Sequence, residues 1–309
     1  MRIVFLDVKT IGDLPELERL KEIGEVTFYE STPASLTKER IENAEIVITN
    51  KVVLDSDLIT GAPELKLICV AATGTNNIDL DAAAACGVTV RNVSGYASWS
   101  VAQTTFAMLF QLMQNLPYYD YYVKSGAYSG NDLFTHHGKP FHEIRRKRFG
   151  IIGMGNIGRQ VSLAAVAFGA EVVYHSTSGK NLEQPFTHLS LEELLTTSDV
   201  VSIHSPLNDQ TSNLIGYAEL KQMKQSAILI NTGRGGIVVE KDLAKALDEE
   251  LIAGAALDVF SSEPLPAGNP LLGIRNPERL LMTPHIAWAS MEARRDLLRG
   301  IIRNIESFF

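Results

Sequence analysis

Short apolar runs alternate with helical patterns along the chain. In the first third the candidate strands are Arg2–Leu6, Glu25–Phe28, Ile46–Ile48, Leu67–Val70 and Thr89–Arg91. Mostly apolar runs of this kind suit strands buried on both faces, as in a parallel sheet flanked by helices. Between the first two, Leu14, Leu17, Leu20 and Ile23 recur every third residue. That spacing predicts a helix with one buried stripe, closed by Gly24.

After "NVSGYASWS" the pattern predicts one long helix, roughly Val101 to Lys124, and then a polar, irregular stretch. A second series of strands follows: Phe149–Ile152, Glu171–His175, Val200–His204, Ala227–Ile230, Ala253–Asp258 and Leu280–Thr283. Six strands alternating with helices is the content of a dinucleotide-binding domain. Ser190 and Glu193 have capping-box spacing before an apolar turn. The segment Ser290 to Phe309 reads as one amphipathic helix, with Leu297, Leu298, Ile301, Ile302, Ile305 and Phe309 on its apolar side. No regulatory domain is expected after it.

The alternation predicts an α/β protein with two doubly wound parallel-sheet (Rossmann/flavodoxin-like) domains and a cleft between them. The expected division is residues 1–98 plus 287–309 as a discontinuous substrate-side domain, and 99–286 as the dinucleotide-binding domain. A chain of 309 residues has the length for two domains.

Net charge is −8, which argues against a general nucleic-acid binder. No apolar run reaches the roughly 18–20 residues of a membrane span. The opening "MRIVFLDVKT" reads as a strand and not as a signal peptide. Cys69 and Cys86 lie in or beside apolar stretches, so packing explains them and a reducing cytoplasm is expected.

"FGIIGMGNIGRQ" places Gly153, Gly155 and Gly158 as G-x-G-x-x-G directly after an apolar strand, opening the helical stretch Ile157–Phe168. The first glycine permits a tight turn, the second lets backbone amides approach a pyrophosphate, and the third lets helix and strand pack closely. Asn156 and Ile157 share that cofactor-binding turn. The next strand ends at Ser176, where an NAD-binding acid is expected and none stands. Ser176, Thr177 and Ser178 could hydrogen-bond a 2′-phosphate and Lys180 could pair with it, or the stretch is an ordinary polar turn. NAD(H) and NADP(H) both remain open.

Three further stretches carry chemistry: "NTGRGG" with Arg234, "ALDVFSSEPL" with Asp258 and Glu263, and "LMTPHIAWAS" with His285. Arg234, Asp258 and His285 each lie at or just past the carboxyl end of a predicted strand, the edge at which doubly wound sheets bind ligands. Alone, Asp258 and Glu263 would read as a surface turn. A lone histidine would read as packed core, which is the expectation for His136, His137, His142, His175, His188 and His204. No ligand set for a metal is present.

With "ATGTNNID", "SVAQTTFAML", "GIIGMGNIG" and "SIHSPLN", these motifs stand in the order of the D-isomer-specific 2-hydroxyacid dehydrogenase family, which the whole chain resembles. "TPHIAW" with "ATGTNNID" leans towards its glycerate dehydrogenase/hydroxypyruvate reductase branch. The resemblance implies reversible, NAD(P)H-dependent reduction of a small 2-keto acid such as hydroxypyruvate or glyoxylate to the D-2-hydroxy acid.

It also implies residue roles. Arg234 would hold the substrate carboxylate as a bidentate fork and polarise the carbonyl. His285 would be the general acid, and the base in reverse. Glu263 would orient the imidazole and raise its pKa. The backbone at Thr73 and Gly74 would receive the carboxylate, and Trp288 would wall the substrate pocket. Asp258 would accept from the nicotinamide carboxamide. Ser205, Pro206, Thr232 and Gly233 would line the cofactor, beside Arg234 and His285. The family is usually dimeric through the long helix and the arm after it. An NAD-gated binding protein on the same fold is the other class considered, and an L-specific dehydrogenase would carry its dinucleotide domain first.

Overall fold

The structure is a computed structural model that describes residues 1–309. The chain forms two compact units, residues 1–97 with 288–309 and residues 98–287.

In the first unit, β1 (Arg2–Phe5), β2 (Glu25–Phe28), β3 (Ile46–Thr49), β4 (Leu67–Val70) and β5 (Thr89–Asn92) form one parallel sheet. Its order is β2-β1-β3-β4-β5. Side chains alternate between two cores, as the period of a strand requires. Ile3, Phe5, Ile46, Ile48, Leu67 and Cys69 fall on one face. Val4, Val47, Ile68 and Val70 fall on the other. The helix Met291–Glu306, capped by the Ser290 hydroxyl, covers the first face with Leu297, Leu298, Ile301, Ile302 and Ile305. Each such side chain contributes about 1.5–3 kcal/mol when fully buried. Phe309 is exposed instead, because it lies past the end of that helix.

In the second unit, β6 (Arg148–Ile152), β7 (Glu171–His175), β8 (Thr187–His188), β9 (Val200–Ile203), β10 (Ile228–Asn231), β11 (Gly254–Leu257) and β12 (Leu280–Met282) form a parallel sheet. The order is β8-β7-β6-β9-β10-β11-β12. The sequence pattern misses the edge strand β8, whose two residues are both exposed. The topology reverses between β6 and β9, so the carboxyl ends of those two strands flank a crevice where such sheets bind ligands. The Ser190–Glu193 capping box forms as expected.

The long helix expected over Val101–Lys124 is two helices, Ser98–Gln114 and Leu116–Lys124. Asn115 between them is left-handed (φ 51°), and Pro117 in the next turn cannot donate the hydrogen bond that would continue the first helix. The core reading also fails for His137, His142 and His188, which are exposed; of the six, only His204 is buried. Cys69 is buried and Cys86 exposed, both as free thiols. No helix is long and apolar enough to cross a membrane.

Candidate active site

The glycine cradle follows β6. Gly153 is left-handed (φ 96°), and a Cβ built on it would lie 2.6 Å from the backbone nitrogen of Ser205, past the end of β9. A Cβ on Gly158 would lie 2.3 Å from the Gly153 carbonyl oxygen, so only glycine lets the helix Asn156–Ala167 start this close to its strand. Gly155 differs, because a Cβ there would meet nothing within 4 Å. As N-cap it brings no side chain to the first amides of the helix, and those amides with the helix dipole favour an anion. Asn156 is exposed and Ile157 half-buried beside it. Across the crevice Ser205 is buried and its Oγ has no hydrogen-bond partner. An orphaned hydroxyl is costly. Open space over Gly155, undecorated amides and that hydroxyl fit a dinucleotide.

β7 ends in His175, whose Nδ1 lies 3.1 Å from the Leu189 carbonyl oxygen, and Ser176 follows. The Ser176 hydroxyl donates to the Lys180 carbonyl, and the Lys180 amide donates to Ser178 Oγ at 3.3 Å. No carboxylate stands at this strand end.

The loop bearing Arg234 is built by Asn231, the buried last residue of β10. Its side chain donates to the Arg234 carbonyl at 2.9 Å and accepts from the Gly233 amide at 3.0 Å. Arg234 is half-buried, and Nη1 donates to the Gly233 carbonyl at 2.8 Å. The neighbouring Gly235 packs against the loop after β11: a Cβ there would lie 1.8 Å from the Phe260 carbonyl oxygen. That backbone cannot yield as a flexible side chain can. Gly235→Ala is therefore expected to destabilise the protein by roughly 1–3 kcal/mol, whereas Gly155→Ala leaves the unfolding midpoint near wild type. Urea unfolding of the two variants checks the contrast.

The Phe260 amide donates to Glu263 Oε1 at 3.0 Å, and the other carboxylate oxygen lies 2.7 Å from His285 Nδ1. An ionised carboxylate only accepts, so Nδ1 carries the proton and Nε2 is left for chemistry. Gly235, Phe260, Glu263 and His285 thus form one connected run that ties the Arg234 loop to the imidazole.

His285 is left-handed (φ 55°), an uncommon conformation for a residue with a side chain. Asp258, 1% exposed, holds it there. Oδ1 accepts from the Thr283 hydroxyl at 2.6 Å and the Ile286 amide at 2.8 Å, and Oδ2 from the Ala287 amide at 2.9 Å. The His285 amide donates to the Asp258 carbonyl at 2.8 Å. Burial pushes the Asp258 carboxyl above its ordinary range, and these hydrogen bonds pull the other way. Sequence reasoning assigned Asp258 only to a ligand; its clamping of the histidine loop depends on Thr283 and on two backbone amides, which no motif displays.

Of the remaining site residues, Ser205, Thr232 and Gly233 are buried and Pro206 is exposed. Thr73, Gly74 and Trp288 belong to the first unit. The Thr73 hydroxyl donates to the Val93 carbonyl at 3.1 Å, past β5, and Gly74 is half-buried. Trp288 packs against that unit's core, edge-on to Tyr96 at 6.3 Å.

The model of the D-isomer specific 2-hydroxyacid dehydrogenase NAD binding domain matches residues 106–287. The chain is 38% identical over 310 residues to a glycerate dehydrogenase of Methylorubrum extorquens, covering 99% of this chain and 96% of that protein. It is 34% identical over 315 residues to a hydroxypyruvate reductase of Blautia hydrogenotrophica, covering 100% and 97%. Among solved structures, an acyclic imino acid reductase in complex with NADPH and D-Arg superposes with a TM-score of 0.88 at 29% identity, covering 100% of this chain and 97% of that one. With that match across the cradle, the arginine loop and the histidine loop, the chain belongs to the D-isomer-specific 2-hydroxyacid dehydrogenases.

Proposed function

We propose that this oxidoreductase interconverts hydroxypyruvate with D-glycerate, or glyoxylate with glycolate, using NADH or NADPH. The observation that carries the reading is the Glu263–His285 pair at 2.7 Å, tied through Phe260 to the loop of Arg234. An oriented imidazole past β12 and a guanidinium past β10, on either side of the β11 loop that carries Glu263, suit a substrate with a carboxylate next to a carbonyl. The similarity to a glycerate dehydrogenase and a hydroxypyruvate reductase narrows the substrate.

Arg234 donates two parallel N–H bonds to the carboxylate and draws electron density from the adjacent carbonyl. A nicotinamide cofactor, when bound, would supply the hydride. His285 delivers a proton from Nε2 to the carbonyl oxygen, and Glu263 stabilises the ring while it is charged. In the reverse direction Nε2 takes the hydroxyl proton. Gly153, Gly155, Asn156, Ile157 and Gly158 would hold the pyrophosphate. Ser176, Ser205, Pro206, Thr232, Gly233 and Asp258 line the cofactor, so residues 98–287 act as the dinucleotide unit. With a serine and no acid at position 176, the strand end admits NADH or NADPH.

The chain works as a homodimer in a reducing cytoplasm. Tyr121, Leu133 and Phe134, at 72%, 64% and 89% exposure, are apolar side chains that a second copy would cover.

A panel of 2-keto acids assayed with NADH and with NADPH tests the reading. Hydroxypyruvate and glyoxylate should oxidise the cofactor faster than pyruvate or branched keto acids, and D-glycerate, not L-glycerate, should reduce it. Absence of turnover with every 2-keto acid, or an L product, would overturn it.

A further inference from the structure

Behind the cofactor-facing loops of residues 98–287 runs a line of buried polar groups. The Thr105 hydroxyl, on the helix Ser98–Gln114, donates to the Val101 carbonyl at 2.8 Å and lies 3.2 Å from Thr232 Oγ1. Thr232 Oγ1 lies 3.4 Å from His204 Nδ1, and Ser202 Oγ lies 2.8 Å from His204 Nε2. All four side chains are buried, Ser202 and Thr105 completely.

The protons in this line can be counted, because each hydroxyl has one to give. Thr105 spends its own on Val101, so it accepts from Thr232. Thr232 then has none left for the ring and accepts from Nδ1–H. Nε2 is therefore the acceptor, and Ser202 donates to it. One helix carbonyl thus dictates the tautomer of a histidine two side chains away. Burial also pushes the His204 imidazole down to about 3, so the ring is neutral.

The line bridges the two strand ends that matter. His204 directly precedes Ser205, and its own carbonyl carbon lies 2.9 Å from where a Cβ of Gly153 would be. Thr232 directly precedes Gly233 and Arg234, and a Cβ on Gly233 would lie 3.1 Å from the carbonyl oxygens of both Ile203 and Ser205. Any change in the spacing of the ring from Thr232 moves both loops relative to the cradle.

We propose that His204 is a positioning residue: as the Nδ1–H tautomer fixed by Thr105, Thr232 and Ser202, it sets the spacing between the Ser205 loop and the Thr232–Arg234 loop, and so the fit of cofactor and keto acid. The proposal rests on the roles given above to Ser205 and Arg234. The tautomer, read by nitrogen NMR of the ligand-free protein, does not depend on those roles, so the two readings fail separately.

His204 should show a protonated Nδ1 and an unprotonated Nε2 at neutral pH. In Thr105→Val, which frees the direction of the line, that preference should weaken. His204→Phe fills the space but leaves Thr232 and Ser202 unpaired, and should raise the NADH Kd about tenfold. His204→Asn keeps a donor near the Nδ1 position and should recover most of that loss. Adding Thr105→Val to His204→Phe should change NADH affinity little further, since the two act as one unit. An Nε2–H tautomer in the wild type would overturn the proposal, even if His204→Phe fails to fold. So would His204→Phe lowering the unfolding midpoint while NADH Kd and keto-acid KM stay at wild-type values.

Discussion

His285→Asn is expected to lower kcat by about 10²–10⁴-fold with little change in the KM for the keto acid. The reasoning starts from backbone. His285 is left-handed, and alanine there would add conformational cost to the loss of the ring. Asparagine tolerates that region better, so the Asp258 clamp on Thr283, Ile286 and Ala287 should survive. What disappears is the imidazole whose Nδ1 is held by Glu263, and with it the proton at Nε2. Steady-state kinetics with hydroxypyruvate, paired with an unfolding curve, checks this. A variant that folds normally and keeps kcat within about tenfold of wild type would remove His285 from the acid–base role.

Arg234→Ala should reduce kcat/KM by about 10²–10³-fold, with KM rising and kcat falling together. A fork that only bound the carboxylate would raise KM alone; one that also polarises the carbonyl contributes to the transition state. The loop should persist, because Asn231 grips the Arg234 carbonyl and the Gly233 amide, not the guanidinium. The side chain's own internal bond is the single one from Nη1 to the Gly233 carbonyl. Arg234→Lys should recover little, since an ammonium offers no planar pair of donors. Kinetics with the keto acid and an unchanged unfolding midpoint form the check, and near-normal kcat/KM in Arg234→Ala would refute the assignment.

Much of this architecture was legible because buried parallel strands are short apolar runs. β2, β4 and β7 have the same bounds by pattern and by structure. β8 was invisible because Thr187 and His188 are exposed and bury nothing that a pattern could register. The break at Asn115 was hidden by apolar residues continuing on both sides, while the decision lay in one left-handed residue and the following Pro117. At the site, Gly153 stood out by local spacing and Arg234 and His285 by their place past strand ends, whereas Glu263 and the roles of all three rested on the family resemblance. The groups that hold them did not: Asn231 looks like the polar end of a strand, and Thr105 looks like any helix threonine. Its partner Thr232 is 127 residues away, a distance that no local motif can express.

The helix Met291–Glu306 that completes the first core has a consequence for the order of events on the ribosome. β1 to β5 emerge early with Ile11, Leu14 and Leu20 on one face of their sheet, but Leu297, Leu298, Ile301, Ile302 and Ile305, which complete the cover of that face, are made only after the 190 residues from 98 to 287. At about 5–20 residues per second, Phe5, Ile46 and Leu67 wait roughly 12–60 s for Leu297 and Ile301. The segment in between, whose core draws on its own residues, can fold during that interval. The earliest-made strands are then the last to be sealed, and they are the part of a nascent chain with most need of a holding chaperone.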